Sequence, residues 1–365
     1  MEKHVEIARL IEREIHGGSW ATGRMPGVRV LAKQYRTSVV TASRALQELT
    51  IRGLIQTVER SGCYVRPQVQ EGDLWALCQR ITPGPWREQM GPTFEGELDA
   101  AFRKDGSRLC TDMMWFTDET PKIQLRRDIQ QAQSQGVKGV FFLPSRKSEI
   151  SADQDVMFLE TCRTAGMPVV LLERGLRGGR PLTHDVVGYD DLTAARELTR
   201  HLVATGRRRI AFVIGSPTSS HEARLSGYLL SITQDADQQF PLIVAEDPTL
   251  SAKEGFASLA SQLRKIDADA VVCYQDYTAV GLILELLHRR VQVPEEIAVT
   301  GFEDRPIGNS FAIGVTTYAF SDFEIGRQAL KLMRGRIAHP DAPPIRVAVT
   351  GHLVIRESSG SPGTP

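Results

Sequence analysis

Arg24-Met25-Pro26-Gly27-Val28-Arg29-Val30-Leu31-Ala32-Lys33-Gln34-Tyr35, followed by Ser38-Val39-Val40-Thr41-Ala42-Ser43-Arg44-Ala45-Leu46-Gln47-Glu48-Leu49, is the stretch whose reading decides the fold. Pro26 and Gly27 open a short helix, because Val28, Leu31, Ala32 and Tyr35 recur at helical spacing. Ser38 suits the N-cap of a second helix, since its hydroxyl can accept an orphan backbone N–H. That helix carries Ala42, Ala45, Leu46 and Leu49 on one stripe, and Gly53 suits its C-terminal stop. Two β-rich runs follow, Leu54-Ile55-Gln56-Thr57-Val58 and Cys63-Tyr64-Val65-Arg66. Joined through Arg60-Ser61-Gly62, they predict a hairpin.

Helix, tight turn, helix and hairpin make a winged helix-turn-helix. With its stripe buried, the second helix turns Val40, Thr41, Ser43, Arg44 and Gln47 outward. Such a face can enter a major groove and reach base edges. The alternative is a small structural helix pair within a larger protein; the hairpin and the terminal position favour a DNA reader. Upstream, Val5, Ile7, Ala8, Ile11 and Ile15 form the stripe of a first helix. Trp20 is expected to pack that helix against the pair.

Met25-Pro26-x-x-Arg29-x-Leu31-Ala32, Ser38-x-x-Thr41-x-x-x-Ala45-Leu46, Gly53-Leu54-Ile55 and Gly62-x-Tyr64-Val65 together resemble the GntR-type winged helix over roughly residues 5–66. The resemblance implies that Arg29 and Thr41 contact DNA and that Gly62 lies on the wing tip; with the outward face of the second helix and the wing, the residues expected at DNA are Arg29, Ser38, Val40, Thr41, Ser43, Arg44, Arg60 and Gly62. The family usually has Arg where this chain has Val39, and often Arg where it has Ser43. The operator read here is therefore expected to differ from the commonest family sequence.

At 365 residues, with 41% hydrophobic and 24% charged residues, the chain is an ordinary globular composition long enough for two or three domains. Net charge is zero but uneven. Residues 1–68 hold 11 Lys+Arg against 6 Asp+Glu, a net +5, so the remainder carries −5. A basic end on an acidic body suits a small polyanion-binding module. The five cysteines, at 63, 78, 110, 162 and 273, form no Cys-x-x-Cys pair. A zinc site or disulfide framework is not expected, and a reducing cytoplasm is the simplest location. Met1-Glu2-Lys3-His4 opens an amphipathic helix in place of a secretory apolar region, and no apolar run approaches the roughly 20 residues of a membrane span. Metal and cofactor are not expected.

Residues 67–73 are polar and without periodicity, which reads as a linker. Beyond them, short apolar runs at 137–143, 168–172, 209–214, 242–245, 270–274 and 297–301 alternate with helical segments near 95–104, 121–135, 153–165, 191–205, 221–233, 253–265, 277–290 and 322–337. Apolar strands bounded by helices mean parallel sheets covered on both faces, with ligands held off the carboxyl ends of strands. The residues just past those ends are Glu173 and Arg174, Gln275 and Asp276, and Glu303 and Asp304.

Pro168-Val169-Val170-Leu171-Leu172-Glu173-Arg174, Gly206-Arg207-Arg208-Arg209-Ile210-Ala211-Phe212, Arg224-x-x-Gly227-Tyr228, Asp276-x-x-Ala279-Val280-Gly281, Val293-Pro294-Glu295-Glu296-Ile297-Ala298-Val299-x-Gly301-Phe302-Glu303-Asp304, Thr316-Thr317 and Arg356-Glu357-Ser358-Ser359 resemble, in that order, the LacI/GalR effector domain over roughly residues 75–359. The resemblance implies an α/β fold of the periplasmic-binding-protein type: two doubly wound subdomains joined by three crossings. A GntR-type reader on a LacI-type sensor is similar to the arabinose-repressor chimeras. The expected organisation is a winged helix-turn-helix at 1–67, a linker at 68–74 and a sugar-binding effector domain at 75–359.

By the same resemblance, Glu173 and Arg174 match an acidic-basic pair that contacts the effector. Arg224 matches an arginine that fixes sugar oxygens, and Asp276 a carboxylate that accepts sugar hydroxyls. Phe320 falls where the family often has a polar cleft residue. The family usually has Asp at Glu173, Asn at Gln275 and His at Arg207. A polyol suits such groups, because a carboxylate accepts two vicinal hydroxyls and a guanidinium donates in a planar fork. Trp86, Phe94, Trp115, Tyr274 and Phe320 are candidates to stack on the ring, with core packing as the alternative. For the charged residues the alternative is a solvated loop charge or an interdomain ion pair, the expected reading for Arg146, Asp190 and Glu303.

A regulator that binds operator DNA as a homodimer and responds to a small sugar is the resulting expectation. A binding protein without a transcriptional role is the alternative. No Gly-x-Gly-x-x-Gly after a strand, phosphate-binding loop, nucleophile elbow or His-Glu-x-x-His occurs, so an enzyme is not expected.

Overall fold

Helical spacing in the first stretch and short apolar runs in the second divide the chain into two units, Met1–Gly72 and Asp73–Pro365. The computed structural model describes residues 3–16, 25–51, 55–58, 62–65, 72–80, 91–145, 148–178, 180–215, 218–234, 240–247, 249–310 and 312–360. Trp20, Gly53, Arg60, Trp86, Arg146 and linker residues 68–71 lie outside them, as does the side chain of Trp115.

In the first unit, α1 (Lys3–His16), α2 (Val28–Gln34) and α3 (Val39–Ile51) are followed by the strands β1 (Ile55–Val58) and β2 (Gly62–Val65). Each helix buries the stripe its spacing defines. Ile7, Ala8, Ile11 and Ile15 of α1 meet Leu31 of α2 and Ala45, Leu46 and Leu49 of α3 in one core. A fully buried leucine such as Leu49 contributes about 1.5–3 kcal/mol. β1 and β2 pair antiparallel from Ile55↔Val65 to Val58↔Gly62. Ile55 joins the core, and the Met25 N–H donates to the Cys63 carbonyl at 2.9 Å, tying the wing to the approach of α2.

The second unit contains two parallel sheets. The first subdomain comprises β3 (Leu74–Arg80), α4 (Gly91–Lys104), β4 (Arg108–Phe116), α5 (Lys122–Ser134), β5 (Val137–Phe142), α6 (Glu149–Thr164), β6 (Val169–Glu173) and β7 (Asp185–Tyr189). Leu74, the last residue expected in the linker, opens β3. The second subdomain comprises α7 (Asp191–Ala204), β8 (Ile210–Ile214), α8 (Ser219–Gln234), β9 (Leu242–Ala245), α9 (Ala252–Lys265), β10 (Ala270–Val272), α10 (Asp276–His288), β11 (Ala298–Thr300) and α11 (Pro306–Asn309). The chain then runs through β12 (Thr317–Ala319) back to α12 (Asp322–Ala338) and β13 (Arg346–Val349) of the first subdomain, and returns through β14 (His352–Val354). The sheet orders are β13-β7-β6-β5-β3-β4 and β11-β10-β8-β9, all parallel, with β12 and β14 as an antiparallel ribbon.

Three crossings thus join the subdomains, at 189–191, 319–322 and 349–352. Gly351 packs the last of these against the second: an added Cβ would collide with the Ala319 carbonyl oxygen. Strands buried on both faces, such as β6, read as continuous apolar runs. The edge strands β4 and β13, the glycine-containing β7 and the central β3 were not among the expected strands. Among the described residues, no helix is long and apolar enough to cross a membrane.

Candidate functional site

Two sites emerge, one in each unit. In the first, α3 starts at a tight turn in which Arg36 takes a positive φ of 46°. The Ser38 hydroxyl accepts from the Thr41 N–H at 3.1 Å, which caps the helix, and pairs with the Thr41 hydroxyl at 2.8 Å. Ala42, Ala45, Leu46 and Leu49 are buried, so Val40, Ser43, Arg44 and Gln47 are exposed on the opposite face, with Thr41 half-buried at its edge. Arg29 is exposed on α2, and Gly62, with φ 111°, is exposed where β2 begins. Of the residues expected at DNA, Arg60 alone lies outside the described residues.

In the second unit, charged side chains gather where the strand ends of both subdomains meet the crossings. Glu173, Arg174, Asp191, Arg224, Glu303, Arg305 and Asp322 are all buried. Arg174 donates to Glu173. Arg224 donates from Nε to Asp191 at 2.7 Å and from a terminal nitrogen to the Tyr274 carbonyl. Its other terminal nitrogen lies 3.6 Å from Glu303, and its guanidinium lies 4.3 Å from the centre of the Phe302 ring. Arg305 donates from Nε to Glu303 at 3.2 Å and from Nη1 to Asp322 at 2.7 Å, and Tyr189 donates to the other oxygen of Asp322. Because Asp322 opens α12, the Arg305 pair spans the two subdomains. The Gly175 N–H also crosses, donating to the Ser219 hydroxyl at 2.9 Å.

Burial acts against the charges of Asp191, Asp322, Arg224 and Arg305. It raises the Asp191 carboxyl to about 6; Arg224 opposes the shift, while Glu303 and Glu173 add to it. Asp322 is raised for the same first reason, against the pull of Arg305. Burial also disfavours the Arg224 and Arg305 charges, but the surrounding carboxylates outweigh it and hold both guanidinium groups charged. Glu173, Glu303 and Asp304 adopt positive φ of 60°, 95° and 50°. Non-glycine residues in that region carry backbone strain, which tends to collect at ligand sites. Gly188 makes room for it: an added Cβ would collide with the Glu173 carbonyl.

The residues expected at the effector are not all alike. Glu173, Arg174 and Arg224 come together in the cluster. Asp276 is buried behind it, its oxygens accepting from the Thr317 hydroxyl and the Arg305 N–H, both at 2.7 Å. Burial, opposed by those two bonds and helped by Glu303 and Asp304, raises its carboxyl to about 7. Phe320 stacks on Tyr189, with centroids 4.3 Å apart, and packs against the cores of both subdomains. Phe94 is a core residue of the first subdomain. Asp190 caps α7 through the Thr193 N–H at 3.2 Å. Glu303, expected as a loop charge or an ion pair, is a buried ion-pair partner at the centre of the cluster. Sequence reasoning missed Tyr189, Asp191, Arg305 and Asp322. Position directly after β7 or Phe302-Glu303, or at the start of the last long helix, was the available signal.

Beside the cluster lies a cavity of about 380 Å³ at the carboxyl ends of β8, β9 and β10, lined by Arg177, Glu246, Phe256, Tyr274, Gln275 and Thr278 among others. Tyr274 and Thr278 both donate to Glu246. A larger hollow of about 1000 Å³ lies by the amino ends of β5 and β6. It is mainly apolar, and its arginines are already engaged, Arg163 by Glu160, Arg180 by Asp153 and Arg336 by Asp185. The smaller cavity therefore offers the better site for a polyol.

Residues 3–65 match the gntR family of bacterial regulatory proteins, and residues 199–359 a periplasmic binding protein-like domain. The HTH-type transcriptional regulator CelR of Thermobifida fusca is 30% identical over 216 residues, 56% of this chain and 62% of that protein. The chain thus spans less than two thirds of CelR. The arabinose metabolism transcriptional repressor of Geobacillus stearothermophilus is 23% identical over 343 residues, covering 92% of this chain and 91% of the repressor. A solved structure described as a transcriptional regulator CelR–cellobiose complex covers 92% of this chain and 100% of its own at a TM-score of 0.63 and 20% identity, a likeness of fold. The chain thus joins a winged helix-turn-helix segment that matches the gntR family model to a segment that matches a periplasmic binding protein-like domain, and its fold is similar to that of solved LacI-type regulators.

Proposed function

We propose that the chain is a transcriptional regulator, acting as a repressor, whose affinity for operator DNA is set by a small sugar held between the subdomains of the second unit. The observation that carries this reading is the presence on one chain of an exposed recognition-helix face and a buried cluster of paired carboxylates and guanidinium groups beside a cavity at the strand ends. The names of the relatives support it: a transcriptional regulator and a repressor of arabinose metabolism. A cytoplasmic homodimer reading a palindrome goes with this function, because two-fold dimers raise specificity on a genome. The same reading makes the chain a regulator and not an enzyme.

In the cleft, Arg224, Glu303, Glu173 and Arg174 exchange part of their present hydrogen bonds and ion pairs for sugar hydroxyls. Tyr274 and Phe320 supply aromatic surface, and Asp276 positions the Arg305 segment from behind. Arg29, Thr41, Ser43, Arg44, Arg60 and Gly62 approach the DNA. The test is a mobility-shift titration of the full chain on DNA upstream of its own gene, with and without a panel of pentoses, hexoses and disaccharides. A shift released by one sugar is expected. A shift insensitive to the whole panel would leave a DNA-binding protein without this sensor. Sugar binding without any DNA shift would favour a binding protein with no transcriptional role.

A further inference from the structure

The first two residues of the recognition helix are valines. Val39 is 46% exposed and Val40 64% exposed, and neither belongs to the core of the unit. Folding gives no reason for them. β-branched residues are poorer helix formers than alanine, and exposed side chains gain little from burial. The polar groups beside them are turned to other work. The Ser38 hydroxyl caps the helix, and the Thr41 hydroxyl is paired to it at 2.8 Å. The valine methyl groups are therefore what the amino end of α3 presents outward, with Ser43, Arg44 and Gln47 exposed in the next turns.

Resting on the DNA-binding reading above, the position has a specific chemical meaning. The amino-terminal residues of a recognition helix are those that meet base edges in the major groove. Only one group on those edges is apolar, the C5-methyl of thymine. A protein partner fits the patch poorly. Two valines among Ser43, Arg44 and Gln47, on a segment of net charge +5, fall far short of the roughly 800 Å² per partner of a standard protein interface. The charge instead complements a phosphate backbone.

We propose that Val39 and Val40 read thymine methyl groups, so that each operator half-site carries T·A pairs beneath the start of α3. Arg44 and Gln47 then read the neighbouring pairs through polar edges. The same duplex with uracil in place of those thymines keeps every hydrogen bond of the base pair and loses only the methyl.

The full chain is first used to select bound duplexes from a pool with randomised centres. In the selected duplex each thymine is replaced in turn by deoxyuridine, and affinity is measured at one salt concentration. One or two positions per half-site should weaken binding by about fourfold each, the worth of one buried methyl-sized group. The Val39→Ala/Val40→Ala protein should bind the thymine and uracil duplexes equally. Both valines are exposed and alanine favours a helix, so this variant keeps the fold, which its circular dichroism melt checks. Two results overturn the proposal: uracil tolerated at every position, or uracil weakening wild type and variant alike. A pool that yields no bound duplex overturns the DNA-binding reading itself, and this inference with it.

Discussion

Asp276 and Arg224 stand on the same subdomain, and the difference between them is set by their surroundings. Asp276 accepts two hydrogen bonds from the protein, yet burial holds its carboxyl near 7, above an ordinary 3.8. A folded-state value above the unfolded one adds stability below pH 3.8, and that stability is lost as pH rises through 7. Asp276→Asn can keep both contacts by turning its NH2 to the Thr317 hydroxyl. The variant should therefore gain on wild type as pH rises from about 4 to 7, on the order of 4 kcal/mol. Urea unfolding of both proteins across that range measures the difference, and a pH-independent gap would show that Asp276 titrates normally. Arg224→Lys keeps the charge but loses the fork that spans Asp191 and the Tyr274 carbonyl. Sugar affinity, measured by calorimetry, should fall about tenfold or more, the equivalent of one charge-assisted hydrogen bond. Unchanged affinity would remove Arg224 from the ligand site.

At the scale of elements, the start of α12 is held to the second subdomain by Arg305 and Asp322, and to β7 by Tyr189. Arg305→Met takes the guanidinium away from two buried carboxylates, Glu303 and Asp322, and removing one partner of a buried ion pair typically costs about 3–5 kcal/mol. Adding Asp322→Leu should return part of that loss, because one of the two carboxylates that lost the guanidinium is then removed. Thermal melts of the single and double variants test the coupling; strictly additive losses would mean the pair does not act as a unit. In the first unit, Ser38→Ala removes the cap of α3 and should cost about 1 kcal/mol. Ser38→Asp, which restores an acceptor, should recover most of it in the melt.

For the whole molecule, a sugar changes operator affinity only if it binds the DNA-competent and incompetent arrangements differently. A coupling of about 1–3 kcal/mol corresponds to a roughly 5- to 150-fold change in operator affinity. The same factor must appear as weaker sugar binding to the protein–operator complex, and calorimetry with and without operator checks this reciprocity. Operator affinity should fall with salt at a log–log slope of about 0.9 per phosphate neutralised. Sedimentation at micromolar concentration should show a dimer. A monomer that still shifts operator at one protein per duplex would contradict the palindromic arrangement.

The sequence by itself determined the elements whose signal is local. The capped helix at Ser38, the stripe Ala42-Ala45-Leu46-Leu49 and the existence of the hairpin follow from periodicity and turn chemistry alone, while its register, Ile55 opposite Val65, came from the structure. Buried parallel strands such as β6 and β8 were legible for the same reason, because they are continuous apolar runs, whereas the central strands β7 and β3 were not. Only the tertiary structure decided what the charges do. Glu303, Arg305 and Asp322 are near in sequence to ordinary loop charges, and Tyr189 is 133 residues from the carboxylate it meets. Whether a carboxylate after a strand faces a cleft or supports it from behind depends on which side of the strand end its neighbours close. At Asp276 the neighbours are Thr317 and the Arg305 backbone, brought in by β12 and the loop after β11. Spacing along a chain carries the period of a helix or strand, but the dielectric and the partners of a buried charge are set by segments far away in sequence.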